Sequence, residues 1–282
     1  MIQIILIFVK DHYMLKLLFS LLEENGIDLY GAASLSDCKI IKPYLLDRAG
    51  ISSGTAVIFA VPYLVDDRSE SNISEYSKSR DYHLFFGELF DNIIPKLRAA
   101  FPENRFAGFV DHSPIDEINT AAACGLGIIG SNRLLITEKY SSFVFVGEII
   151  TDVEADCTLG DIKTCENCGL CKKACPFALD GSGCLSAITQ KKSELTDDEI
   201  SLMKTHGTVW GCDICQNVCP HTKKCKESGT IYTPIPFFHN DRTPLLTYDS
   251  VANMSDSDFE CRAYSWRGRR VILRNLEAAS KK

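Results

Sequence analysis

Residues Cys165 to Pro220 carry the chemistry that spacing alone reveals. Cys165-Glu-Asn-Cys168-Gly-Leu-Cys171-Lys-Lys-Ala-Cys175-Pro176 has the spacing C-x2-C-x2-C-x3-C-P, the run with which bacterial-type ferredoxins hold 4Fe-4S clusters. Gly211-Cys212-Asp-Ile-Cys215-Gln-Asn-Val-Cys219-Pro220 is a second Cys-Pro run, and Cys184 stands alone between the two. Each cubane cluster takes four thiolates, and the fourth Cys of such a run ligates the other cluster. The assignment therefore crosses over. Cys165, Cys168, Cys171 and Cys219 hold one cluster, and Cys175, Cys184, Cys212 and Cys215 hold the second. One helical turn between Cys171 and Cys175 spans about 6 Å of rise, a spacing suited to an electron relay. Paired Cys-x2-Cys runs also bind zinc in closed tetrahedral cages, and zinc stays the alternative, although four thiols within eleven residues with each Cys-x3-Cys followed by Pro are unusual for it.

The bulk properties set the frame for this segment. With 282 residues, 45% hydrophobic and 24% charged, the chain reads as a soluble globular protein of one large domain or two ordinary ones. A formal net charge of −7 argues against a generally basic nucleic-acid surface and leaves room for a local patch. Thirteen Cys without a cleavable secretion signal point to a reducing, cytoplasmic compartment. The apolar start, Met1 to Val9, is about half the length that crosses a bilayer. It is expected as a short strand or as an extension loosely tied to the fold.

The elements that position the chemistry follow from periodicity. Leu15, Leu17, Leu18, Leu21 and Leu22 recur at helical spacing and stop at Asn25-Gly26. Thr55 to Pro62 is a continuous apolar run, read as a buried strand that delivers Tyr63 to a surface crevice. The polar segment Ile73 to His83 reads, on pattern alone, as a solvated helix start. It leads into an apolar helical face of Leu84, Phe85, Leu89, Phe90, Ile93, Ile94 and Leu97, with Pro95 straining the last turns. Arg105 to Asp111 is a strand ending on a carboxylate, where the crevices of α/β sheets tend to lie. Asp116 to Cys124 is expected to be helical. Gly125-Leu-Gly127-Ile-Ile-Gly130 spells a dinucleotide fingerprint, but a helix precedes it and the strand-like Leu134 to Ile136 follows, the reverse of what that fingerprint requires. It is expected to be a Gly-rich loop that approaches a ligand closely. Ser141 to Asp152 is a further buried strand. The alternation predicts an α/β (α+β) layered domain over residues 1–155, a ferredoxin-like double-cluster domain over 156–240, and a basic segment over 241–282.

Together these pieces resemble the epoxyqueuosine reductase family, relatives of the cobalamin-dependent reductive dehalogenases. The resemblance rests on Tyr76-Ser-Lys-Ser-Arg80-Asp81-Tyr82-His83, Val110-Asp111-His-Ser-Pro114, Gly125 to Asn132, Gly147-Glu-Ile-Ile-Thr151 and both cysteine runs. Cys184 to Gln190 resembles the segment that supplies the family's isolated cluster ligand. The resemblance implies a cobalamin-binding domain and two 4Fe-4S clusters that pass electrons to cobalamin. The reaction it implies is reduction of the epoxide of epoxyqueuosine in tRNA to the alkene of queuosine. It assigns Asp111 as proton donor, a carboxyl that burial against an apolar corrin face would keep protonated. It places Tyr76, Arg80 and Tyr82 against substrate or cobalamin, and Gly127, Gly130 and Asn132 where backbone packs on the cofactor. An electron donor such as a flavodoxin or ferredoxin is the expected protein partner, with no membrane.

Three features depart from the family pattern. The chain reaches Trp266 to Asn275, which resembles the entrance to the family's tRNA-docking helical repeats, and ends at Lys282. It is expected to be a shortened form without those repeats. Arg262, Arg267, Arg269, Arg270, Arg274, Lys281 and Lys282 either contact tRNA phosphates or form a solvated or acid-paired helix face. Ile118 and Ser131 stand where the family commonly carries Arg and Lys. A reductase of a different small substrate using the same cofactors is one alternative, and a non-enzymatic electron-transfer protein is another. The six His show no ligand spacing, and Cys38, Cys124, Cys157, Cys225 and Cys261 are expected to be small hydrophobes or bystanders.

Overall fold

The computed structural model describes residues 2–280, with side chains described from residue 12 onward. The chain forms two compact units, one of Met1–Pro62 with Phe85–Asn167 and one of Tyr63–Leu84 with Cys168–Lys282. These bounds differ from the expected ones. The segment from Tyr63 to Leu84 leaves the first unit, the change of unit falls at Asn167 instead of near Asp156, and residues between Leu246 and Leu276 join the second unit's core.

The first unit is built on helix α1 (Ile2–Glu24), strand β1 (Tyr30–Ser34), α2 (Pro43–Ala49), β2 (Thr55–Pro62), α3 (Tyr82–Ala100), β3 (Phe106–Val110), α4 (Glu117–Ala123), β4 (Ile128–Ile129), β5 (Leu135–Ile136) and β6 (Val144–Thr151). The start expected as a strand or loose extension is instead the opening of α1. No breaker separates it from the Leu-rich pattern, so the helix propagates through it. Helix α1 stops before Gly26, whose φ of 78° is left-handed. Phe19 of α1 stacks on Tyr30 of β1 with ring centroids 4.4 Å apart.

The main sheet has the order β1-β2-β6-β3, and every pairing is antiparallel. The continuous apolar run of β2 signalled burial on both faces, since all eight of its residues are buried, and said nothing of strand direction. Gly147 of β6 marks one face, where an added Cβ would stand 2.3 Å from Phe86 of α3. Helix α4 covers the opposite face, packing Ala121 and Ala122 on Ile58, Ala60 and Val146. Pro95 lies inside α3, which runs on to Ala100.

The second unit is mostly helical, with α5 (Leu170–Ala174), α6 (Leu185–Thr189), α7 (Asp197–His206), α8 (Ile214–Asn217), α9 (Pro220–Ser228), α10 (Tyr248–Ala252), α11 (Asp256–Glu260) and α12 (Arg269–Ser280). Its core joins Ile73, Trp210, Leu246, Phe259, Tyr264 and Ile272. Asn275 of α12, fully buried, donates to the carbonyls of Thr189 and Val209 at 2.7 and 2.8 Å. The C-terminal helix is thereby tied to the cysteine-bearing segments. Among the described residues no helix is long and apolar enough to cross a membrane.

Candidate functional site

Asp111 follows the last residue of edge strand β3 and has a φ of 58°. The His112 N–H bonds back to the Val110 carbonyl at 2.5 Å, closing a γ-turn of the rare positive-φ kind. Asp tolerates this region better than most residues, and strain held at one carboxylate is typical of a working position. Asp111 is exposed at the turn, so its own unit does not supply the burial expected of it. Crevices at parallel strand ends are no guide here either, because this sheet is antiparallel. What marks the place is the strained turn and the acids behind it.

Those acids are Glu117 at the start of α4 and Glu148 on β6. Register places Glu148 opposite Ile58 on one side and Phe109 on the other, on the face that α4 covers. It is fully buried, and neither carboxylate oxygen has a hydrogen-bond partner among the described residues. The nearby Ser113 hydroxyl is committed to the Ile115 carbonyl at 2.9 Å. Burial, with Glu117 and Asp111 adding repulsion, pushes the Glu148 carboxyl well above the usual range. Burial first, then Asp111, likewise pushes Glu117 up to about 7, against the pull of Lys42. The site thus keeps protonated acid in an apolar setting at neutral pH. Lys42 and Tyr44 reach the two ring nitrogens of His112 at 3.3 and 2.8 Å. Sequence reasoning gave Glu117 and Glu148 no role, although a lone charge inside the apolar run Phe143 to Ile150 was a readable signal.

The Gly-rich loop forms a short hairpin, β4 with β5. A Cβ on Gly127 would stand 2.4 Å from the Ile136 carbonyl oxygen, and one on Gly130 would stand 2.3 Å from Asn132 Oδ1. Both glycines therefore answer first to the chain's own packing. Gly125, at φ 81°, has open space where its Cβ would be. Ile118 packs into the apolar cluster under α4.

The second unit holds the other residues expected near a cofactor. Tyr76 accepts a hydrogen bond from Trp210 Nε1 at 2.9 Å and meets Tyr82 edge to face, with centroids 6.4 Å apart. Tyr82 stacks on His83 at 4.3 Å, and Arg80 lies 5.6 Å from the Phe237 ring. The lead-in to α3 is not a solvated helix start. Ser74, Ser77, Lys78 and Ser79 are all at most 3% exposed, and Lys78 is paired with Glu75 at 2.6 Å. Apolar periodicity cannot find a segment buried through polar pairs. Tyr63 is also buried instead of facing a surface crevice. Burial beside Asp213 keeps its hydroxyl protonated.

The cysteine runs adopt repeated geometry. Cys171 lies in α5 and Cys175 caps its end, with the Cys175 N–H on the Cys171 carbonyl at 3.1 Å. Cys215 lies in α8, and Cys219 begins α9 with Pro220 at the first helical position. Cys175 and Cys219 share nearly identical extended backbones, with ψ of 130° and 132°, because a following proline excludes the helical region. Helices α5 and α8 pack on one another. Burial pushes the Cys212 thiol up to about 11, and its electrostatic neighbours include Cys215 and the isolated Cys184. All thirteen thiols are free of disulfides. Eight cysteine thiols at this spacing, none of them in a disulfide, are a donor set whose chemistry fits two iron-sulfur cubanes.

The basic C-terminal segment is largely committed within its own unit. Arg269 pairs with Asp256 and Arg270 with Glu194, at 2.8 and 2.9 Å. Arg274 bonds the Ser193 carbonyl, Arg262 the Asp241 carbonyl, and Arg267 lies over Trp266 at 3.7 Å. The acid-paired reading of this face fits these contacts. Lys281 and Lys282 lie outside the described residues.

A mixed α/β unit followed by paired Cys-Pro runs defines an iron-sulfur protein of the double-cluster class, and residues 164–222 match the 4Fe-4S double cluster binding domain family. The chain is 33% identical over 198 residues to an epoxyqueuosine reductase of Gloeobacter violaceus, covering 68% of this chain and 62% of that relative. It thus spans under two thirds of that protein's length. Its fold is similar to the solved epoxyqueuosine reductase of Streptococcus thermophilus (TM-score 0.75, 23% identity, 93% of this chain and 79% of that one). A second similar structure is an epoxyqueuosine reductase solved with an epoxyqueuosine-modified tRNA-Tyr stem loop (TM-score 0.75, 22% identity, 95% and 81%). The chain belongs to the epoxyqueuosine reductase family. Members of that family carry 4Fe-4S clusters and cobalamin.

Proposed function

We propose that this chain is a cytoplasmic epoxyqueuosine reductase that converts the epoxide of epoxyqueuosine in tRNA to the alkene of queuosine. Cys165, Cys168, Cys171 and Cys219 hold one cluster, and Cys175, Cys184, Cys212 and Cys215 hold the other. Gly127, Gly130 and Asn132 contact cobalamin, and Tyr76, Arg80 and Tyr82 keep the substrate- or cofactor-contacting role implied by the family. Cobalamin, when bound, would supply the two electrons that epoxide reduction needs, received through the clusters. Asp111 gives a proton to the epoxide oxygen, which with a second proton leaves as water. Glu117 and Glu148 keep a negative charge from accumulating behind Asp111. A flavodoxin or ferredoxin supplies electrons to the clusters.

The observation that carries this reading is the strained turn at Asp111, backed by two carboxyls that burial holds toward the protonated form. An exposed end-of-strand Asp that merely capped a turn would require neither. The test is anaerobic purification, iron and corrinoid analysis, and an assay on tRNA carrying epoxyqueuosine. Formation of queuosine is expected, and an iron-loaded, cobalamin-loaded protein inert on that tRNA would defeat the proposal.

A second reading keeps the cofactors and changes the substrate. It is favoured by the apolar packing of Ile118, where the resemblance implies an arginine, and by the internal pairing of the C-terminal arginines. Turnover of a small epoxide or halide without tRNA turnover would select it. Failure to retain any corrinoid would leave only an electron-transfer role.

A further inference from the structure

We propose that Ser131 is a positioning residue that raises the reduction potential of the cluster ligated by Cys165. The inference rests on the cluster assignment above and concerns a residue outside the cysteine set. The Ser131 N–H and hydroxyl both lie 3.3 Å from Cys165 Sγ. The Ser131 hydroxyl has a competing acceptor, Asn167 Oδ1, at 3.0 Å. The contact is held from both sides. The Ile129 carbonyl accepts from the Cys165 N–H at 3.0 Å, and the Gly130 carbonyl accepts from the Arg133 N–H at 2.8 Å, which fixes the loop carrying Ser131.

The physical effect has a definite sign. Iron takes Cys165 as thiolate, so the sulfur then only accepts hydrogen bonds. Reduction adds one electron to the cluster and spreads negative charge onto its sulfurs. Donors aimed at a ligand sulfur stabilise the reduced form more than the oxidised form, and hydrogen bonds to sulfur are among the features that set cluster potentials. Removing the hydroxyl should therefore make that cluster harder to reduce. Removing the competing Asn167 oxygen should turn the hydroxyl fully toward sulfur and make reduction easier. Where family relatives commonly carry lysine, this chain uses a neutral hydroxyl at contact distance, so its tuning is local instead of a long-range charge.

The test is an anaerobic potentiometric titration of the full chain with both clusters reconstituted, followed by electron paramagnetic resonance. Ser131→Ala is expected to move one of the two reduction steps to lower potential and leave the other in place, with unchanged iron content. Ser131→Thr should restore the parent value. Asn167→Gly suits the left-handed φ of 52° at that position and removes the competing side-chain oxygen; it should move the same step upward. Two unmoved steps in iron-replete Ser131→Ala would overturn the proposal, as would an equal shift of both. If Ser131→Ala loses iron, an unmoved step in Asn167→Gly would overturn it instead. The readout is independent of cobalamin and of tRNA turnover, so a wrong substrate would leave this result standing.

Discussion

At the residue scale, Asp111 and the acids behind it separate catalysis from assembly. Asp111 lies far in sequence from the cluster cysteines and shares no backbone element with them. Asp111→Asn should leave iron content and the visible spectrum unchanged while slowing epoxide reduction by about 100-fold or more, the usual range for a lost general acid. Single-turnover assays of the loaded enzyme would show it, and a variant as fast as the parent would remove Asp111 from the role. Glu148 and Glu117 make a pH prediction. Both folded-state carboxyls are raised above the 4.5 of an unfolded Glu, so the native state binds more protons than the unfolded state above about pH 4.5. Their contribution is complete below that value and is lost as pH rises, through about 7 for Glu117 and further for Glu148. Urea unfolding should show stability falling between about pH 5 and pH 8, by on the order of 2 kcal/mol. In Glu148→Gln that slope should be shallower, and an identical slope would contradict a neutral buried Glu148.

At the element scale, close approach explains why two motifs have the residues they do. Gly147 lets α3 lie on β6, with Phe86 occupying the place of a side chain. Gly147→Ala should destabilise the chain by about 1 to 3 kcal/mol, as overpacking does, measured as a lower urea midpoint with an unchanged slope. Each proline after Cys175 and Cys219 holds the preceding cysteine extended, so the thiol leaves the helix axis. Cys184 caps the five-residue helix α6. Cys184→Ala should lose iron from one cluster only, and an iron content equal to the parent's would count against the crossed assignment.

At the scale of the whole molecule, the proposed clusters make the stability of the second unit a test of the ligand assignment. Helices α5, α6 and α8 have five, five and four residues, far short of what is stable alone in water. In the proposed assignment, thiolates carried by or next to these helices would be joined through the clusters, and that binding would contribute directly to folding. Stripping the clusters with chelator under oxidant should lower the far-ultraviolet helical signal and the Tm together. A cluster-free protein that melts at the holoprotein's temperature would show the segment to be self-supporting.

The primary structure by itself determined the thiol count and spacing, the family, the two buried strands β2 and β6, the helix before Gly26 and the turn residue Asp111. Each of these is a local pattern, set by side-chain type at a fixed interval along the chain. Only the tertiary structure decided the antiparallel order of the sheet, the transfer of Tyr63 to Leu84 into the cysteine-bearing unit, and the burial of Lys78 and Tyr63. It alone placed Glu148 and Glu117 behind Asp111, and Ser131 against Cys165. Strand pairing, burial of a charge and hydrogen bonding to a distant sulfur arise between residues remote in sequence, and periodicity along the chain carries no trace of them.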